Sequence, residues 1–113
     1  MQAAWRPVAQ GSGWPKQALT GAAAMHLGFF SYNVEYGARP DDLARAIEAR
    51  GFESFWVGEH THIPLSRTTP YPGGEPLPKP YYHMADPFVS LMAAAAATRT
   101  LRLGTGICLV PQH

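Results

Sequence analysis

Hydrophobic and polar positions follow two alternating rhythms along the chain. Residues 26–30 (His-Leu-Gly-Phe-Phe) form a short apolar run, consistent with a buried strand. Residues 31–39 carry Asn33, Gly37 and polar neighbours and read as a loop. From 40 to 50 the period changes: Leu43, Ala44, Ala46 and Ile47 fall on one side of a helix. Pro40 suits the first helical position, and Asp41 and Asp42 suit the positive end of the helix dipole. Arg50 stands at the negative end, and Gly51 fits a left-handed cap. Residues 52–58 (Phe-Glu-Ser-Phe-Trp-Val-Gly) predict a second strand. A long irregular stretch, 61–85, then holds Pro64, Pro70, Pro72, Pro76, Pro78 and Pro80 with Gly73 and Gly74. Proline lacks an amide donor and fixes φ, so neither a regular helix nor a central strand is expected there. A loop this long within a compact domain is usually functional. Asp86 as N-cap and Pro87 in the first turn start a second helix, running to about residue 98 with an alanine run at 93–97. Residues 101–111 predict a third strand leaving toward a loop.

Strand, helix, strand, helix, strand is the order that builds a parallel sheet with right-handed crossovers, an α/β fold. Parallel strands are buried on both faces, and two helices cannot cover both faces of three strands. The third strand would be an open edge, a liability unless more chain follows or a partner supplies cover. The sequence therefore predicts less than one whole domain, cut short at its C-terminus. Residues 1–24 show neither periodicity. Met25 stands directly before the first strand and reads as the true start, with 1–24 an unstructured extension.

Composition narrows the function classes. The 113 residues are 46% hydrophobic and 15% charged, with a formal net charge of +1. That is apolar enough for a packed core. Without a Lys/Arg cluster there is no electrostatic footprint for nucleic acid or an anionic membrane. The nearly apolar run 88–97 is too short to span a bilayer, which needs roughly 20 residues. The start lacks the apolar core of about 7–15 residues that a secretory signal carries, so the expected location is the cytoplasm. Cys108, the one cysteine, excludes an internal disulfide and a cysteine zinc finger.

In parallel α/β folds ligands bind beyond the carboxyl ends of the strands. Three segments lie there: 30–33, 58–62 and 105–108. Glu59-His60-Thr61-His62 is the densest chemical signal. A histidine at a strand end can serve as acid, base or hydrogen-bond donor near neutral pH. His60 and His62, two apart, share a side of an extended segment, so His83 or Asp86 could complete a metal site; equally, one is a loop-facing polar residue and the other incidental. Gly104-Thr105-Gly106 lacks the third glycine and following helix of a dinucleotide fingerprint. Its glycines allow close backbone approach or simply tight packing. Cys108 reads as a small buried hydrophobe before a nucleophile. Trp56 reads as core, and Tyr71, Tyr81 and Tyr82 as a lid or as packing within the loop.

These segments, taken in order, resemble the N-terminal part of the luciferase-like monooxygenase family: 26–30, then Gly51-Phe-Glu-Ser-Phe-Trp-Val-Gly-Glu-His60, then Asp86-Pro87 with its alanine-rich helix, then Arg102-Leu-Gly-Thr-Gly-Ile107. The similarity covers about residues 25–113 and is greatest to the coenzyme F-420-dependent oxidoreductases. It implies a (β/α)8 TIM barrel, of which this chain supplies three strands and two helices. It implies FMN or the deazaflavin coenzyme F-420 at the strand ends, with hydride transfer to or from a small organic substrate, or oxygen insertion with a true flavin. His60 matches the family's histidine after the second strand and is the expected catalytic acid/base. Phe30, Glu59, Gly106 and Ile107 are the expected cofactor-binding positions, Gly106-Ile107 matching a bulge behind the ring system. The loop 61–85 matches a variable insertion over the site. A homodimer of the full-length form is among the arrangements the resemblance allows. The phosphate-binding loops of the family come from later strands, so this chain alone is expected to bind cofactor weakly and to be inactive. Two rival readings stand beside it: a metal-dependent hydrolase barrel using His60 and His62, and a non-enzymatic module needing a partner to complete its sheet.

Overall fold

The computed structural model describes residues 25–66, 68–74 and 76–112. The expected extension 1–24 lies outside them. Three strands, β1 (Gly28–Ser31), β2 (Ser54–Val57) and β3 (Arg102–Thr105), form a parallel sheet in the order β1-β2-β3. Helices α1 (Pro40–Ala49) and α2 (Pro87–Ala97) make the two crossovers. The α/β alternation and parallel pairing are as the sequence predicts. The strands are shorter than their apolar runs. Gly28 opposes Ser54, which opposes Arg102, and three residues later the two ladders end together at Ser31, Val57 and Thr105. The third run, expected to continue to 111, leaves the sheet after the Gly106 amide donates to the Val57 carbonyl at 2.8 Å. Beyond Val57 no strand of β2 remains for it to pair with, and Val110–Gln112 turn as a 3-10 helix.

Local chemistry sets the helix ends. The Asp86 carboxylate accepts the Val89 amide at 2.8 Å, the expected N-cap. Gly51 takes φ +81°, the left-handed conformation that ends α1, and the Arg50 guanidinium donates to the Ala46 carbonyl at 2.7 Å. Both helices lie on one face of the sheet. Ala44 and Ile47 of α1, Ala94 of α2, Phe55 and Val57 of β2, and Leu101 form the buried core, edged by Phe29, Leu43, Phe52, Leu91 and Leu103. Ser90 and Ala94, small and one turn apart, are buried on one side of α2, which packs against α1. Glu48 fastens the helices to the sheet. Its Oε1 accepts the amides of Arg99 (2.9 Å), Thr100 (2.7 Å) and Leu101 (3.0 Å), and the Thr100 hydroxyl (3.0 Å).

The opposite face of the sheet is different. Trp56, read from the sequence as core, is 41% exposed there. Its ring nitrogen donates to Ser54 Oγ at 2.9 Å. A Cβ on Gly104 would lie 2.5 Å from Trp56 Cζ3. The glycine therefore leaves the floor on which the indole lies. A large aromatic in an apolar run is usually buried, but strand alternation puts Phe55 inward and Trp56 outward. No described helix is long and apolar enough to cross a membrane.

Candidate functional site

The proline-rich stretch 61–85 forms no regular helix or sheet strand among its described residues. It holds one 3-10 turn, Lys79–Tyr82, and one antiparallel bridge, Val34 to Met84. That bridge docks it on the loop after β1. Asn33 is the anchor: 7% exposed, at φ +57°, it donates its side-chain amide to the Ala85 carbonyl (3.0 Å) and accepts the Ala85 amide on its own carbonyl (2.8 Å). Asparagine tolerates the left-handed region better than most residues. A second fastening lies outside it. Glu35 pairs with His83 Nδ1, the His83 ring packs edge-on to Tyr36 at 5.5 Å, and Lys79 Nζ sits 4.7 Å from the Tyr36 ring. Burial pulls the Glu35 carboxyl upward, but hydrogen bonds from its own backbone and His83, with the charges of His83 and Lys79, outweigh it and hold it below its ordinary value.

The docked loop brings its tyrosines to the carboxyl ends of the strands. His60, half-buried just after β2, meets the Tyr81 ring edge-on at 4.8 Å and 67°. Tyr81 meets Tyr71 at 5.5 Å and Tyr32 at 6.1 Å, and Tyr32 meets Phe30 at 5.5 Å. The hydrogen bond with Tyr71, then burial, raises the Tyr81 phenol above its ordinary value, so it is neutral at pH 7. An open cleft of about 250 Å3 runs between His60, Thr61, Met84, Ala85 and Asp86. Tyr71 and Tyr81 pack against one another and Tyr81 against His60, while Tyr82, named with them from the sequence, is exposed.

The other strand-end residues divide. Phe30 (51% exposed) and Ile107 (67% exposed) present apolar surface at the rim. Gly106 lies under the Phe30 ring, where a Cβ would come within 3.2 Å of Phe30 Cε2. Glu59 is 5% exposed, and its Oε2 accepts the Leu109 amide at 3.0 Å. That bond ties the end of β2 to the segment after β3. Cys108, expected as a buried hydrophobe, is exposed because β3 has already left the sheet.

The rival metal reading needed His60, His62 and a third donor. Among the described residues no three His, Cys, Asp or Glu side chains gather as a metal site. His83 is engaged with Glu35, and Asp86 caps α2. His62 is exposed and hydrogen-bonded to Thr61 Oγ1 at 3.2 Å. Asn33 lies in the strand-end segment 30–33 that the sequence singles out, but its anchoring role was not read there; the one signal for it is the residue type, suited to positive φ.

Comparison with known proteins agrees with the motif order. The luciferase-like monooxygenase family matches residues 20–113. Uncharacterized protein Rv0953c of Mycobacterium tuberculosis (strain H37Rv) and Uncharacterized protein Mb0978c of Mycobacterium bovis are each 41% identical over 92 residues. Each alignment covers 79% of this chain and 33% of the relative, so the chain spans about a third of the length of the curated relatives it matches. No solved structure matches. A match over most of the chain, on a parallel sheet whose strand ends carry His60, Phe30 and Gly106-Ile107, leads to one conclusion: the chain belongs to the luciferase-like monooxygenase family.

Proposed function

We propose that this chain builds one side of the cofactor and substrate site of a flavin- or deazaflavin-dependent oxidoreductase, its sheet forming the N-terminal strands of a (β/α)8 barrel. The observation that carries the reading is the convergence at one end of the sheet of a half-buried imidazole, His60, with exposed apolar surface from Phe30 and Ile107. A planar, largely apolar ring system with a polar edge needs those surfaces. Gly106 fits the same demand, because its missing side chain lets the Phe30 ring lie against the backbone. The exposed face bearing Trp56 supports the barrel, since parallel sheets are covered on both faces in closed α/β folds. FMN or coenzyme F-420, when bound, supplies hydride transfer to or from a small organic substrate, with oxygen insertion where the cofactor is a true flavin.

The residues divide the remaining work. Phe30 and Ile107 bound the ring's apolar surface, and Gly106 gives the Phe30 side chain room to do so. His60 holds or releases a proton at its imidazole beside the reacting centre. Glu59 acts at one remove: its bond to the Leu109 amide sets the path of the segment carrying Gly106 and Ile107. Tyr71 and Tyr81 exclude water above His60.

The test uses the barrel-length protein to which these strands would belong, titrates it separately with FMN and with coenzyme F-420, following absorbance and fluorescence, and then measures cofactor-dependent hydride transfer. His60→Ala is expected to keep cofactor binding and to lose turnover by about 10²–10⁴-fold, the range for a positioned acid/base group. Unchanged turnover removes His60 from the chemistry, and binding of neither cofactor overturns the flavin-site reading.

A further inference from the structure

Three segments distant in sequence meet at one phenol ring. Tyr81 comes from the 3-10 turn of the proline-rich stretch, Tyr32 from the end of β1, and His60 from the end of β2. Tyr71, from the same stretch as Tyr81, shares a side-chain hydrogen bond with it and packs at 5.5 Å. Tyr81 is therefore held on two sides by rings before it touches the imidazole. Edge-to-face aromatic contacts at such separations are directional: each ring favours a particular tilt of its neighbour. Two features deliver the ring to that place. Pro78 and Pro80 fix the backbone at the start of the 3-10 turn, and the Asn33–Ala85 hydrogen bonds close the stretch a few residues later.

We propose that Tyr81 is the positioning residue for His60, its ring setting the tilt of the imidazole at the strand ends, with Tyr71 and Tyr32 holding that ring in place. The role rests on the acid/base reading of His60 given above. It makes the insertion 61–85 part of the reaction machinery rather than a cover alone. The phenol ring, not its hydroxyl, makes the contact with His60, so phenylalanine should do the same work and an aliphatic side chain of similar bulk should not.

The test reads His60 directly. The protein is labelled at its histidine side chains, and the His60 ring signals are assigned by their absence in His60→Gln. An aromatic ring at this distance shifts the magnetic resonance of the imidazole protons. Tyr81→Phe, which gives up the hydrogen bond with Tyr71 but keeps the ring, is expected to move the His60 signals only slightly, and Tyr81→Leu to move them to the positions of an imidazole with no ring beside it. The amide signals of Phe55 and Val57 should stay unchanged in both. Tyr71→Ala, which touches neither His60 nor the sheet core, is expected to shift the same signals in the same direction by less, and it serves if Tyr81→Leu fails to fold. In turnover of the barrel-length protein, Tyr81→Leu should lower kcat by about 10–100-fold, the cost of a misplaced catalytic group, with cofactor affinity retained and Tyr81→Phe keeping most of the rate. Unmoved His60 signals in Tyr81→Leu overturn the positioning role, even where His60→Ala abolishes turnover. Equal loss in Tyr81→Phe and Tyr81→Leu overturns it too, because the hydroxyl would then be the working part. The spectral measurement needs no cofactor, so shifted signals beside full turnover in His60→Ala overturn the acid/base reading while leaving the contact established.

Discussion

Phe55 is 1% exposed beneath the helices, whereas Trp56, the next residue, is 41% exposed on the far face of the sheet. Deleting the Phe55 ring leaves a cavity that the packed helices cannot close, so Phe55→Ala should cost about 3–5 kcal/mol in a urea melt. Trp56→Ala should cost clearly less, because no layer of described residues packs above it. Gly51 sits at φ +81°. A side chain there meets no neighbour but must adopt the left-handed conformation, so Gly51→Ala should destabilise by about 1–2 kcal/mol. Those three residues were unequally legible. Gly51 was readable because a glycine after a capped amphipathic helix has one common role. The burial of Phe55 over Trp56 was not, because an apolar run with both faces hydrophobic carries no phase.

Between elements, Glu48 is the joint most open to test. Amides of Thr100 and Arg99, then the Thr100 hydroxyl and the Leu101 amide, hold its carboxyl at about 2 against the burial that would raise it. A depressed carboxylate contributes stability that is complete above its unfolded value of 4.5 and is lost as pH falls toward 2. The wild-type melting temperature should therefore drop more steeply between those pH values than that of Glu48→Gln, which should be the less stable protein at pH 7. Two equal slopes would show that Glu48 is not the group that titrates. Asn33 joins elements of another kind, a strand end and a proline-rich stretch. Asn33→Ala removes the side-chain donor to Ala85 and the residue's tolerance for φ +57°. Limited proteolysis should cut the stretch 61–85 several times faster in that variant, with the helix-side core still protected. Neither joint could be read from sequence: Glu48 is some fifty residues from its donors, and Asn33 is as far from Ala85.

At the scale of the molecule, the described sheet is finished on one side and open on the other. Helices cover Phe55 and Val57, while Phe30 and Trp56 stay exposed, and β1 and β3 each have a single strand neighbour. An exposed apolar face of this kind binds hydrophobic dyes. Trp56→Lys should reduce dye binding without the stability loss expected of a core substitution; undiminished binding would place the dye elsewhere. The same face, curved into a barrel, would become the interior wall that the proposed function requires.

The amino-acid sequence by itself determined the order and type of the elements. Capping residues, proline positions and the change from strand to helical period act within a few residues of one another, and no distant contact is needed to read them. The motif order around His60 and Gly106-Ile107 carried the family in the same way. Only the tertiary structure decided which face of β2 is the core, that Glu59 turns inward to hold the segment after β3, and that Tyr81 is the ring against His60. Each of those depends on register and on contacts between segments far apart in the chain. Such contacts form where burial and hydrogen bonding outweigh the entropy of ordering a loop, a balance that local sequence does not encode.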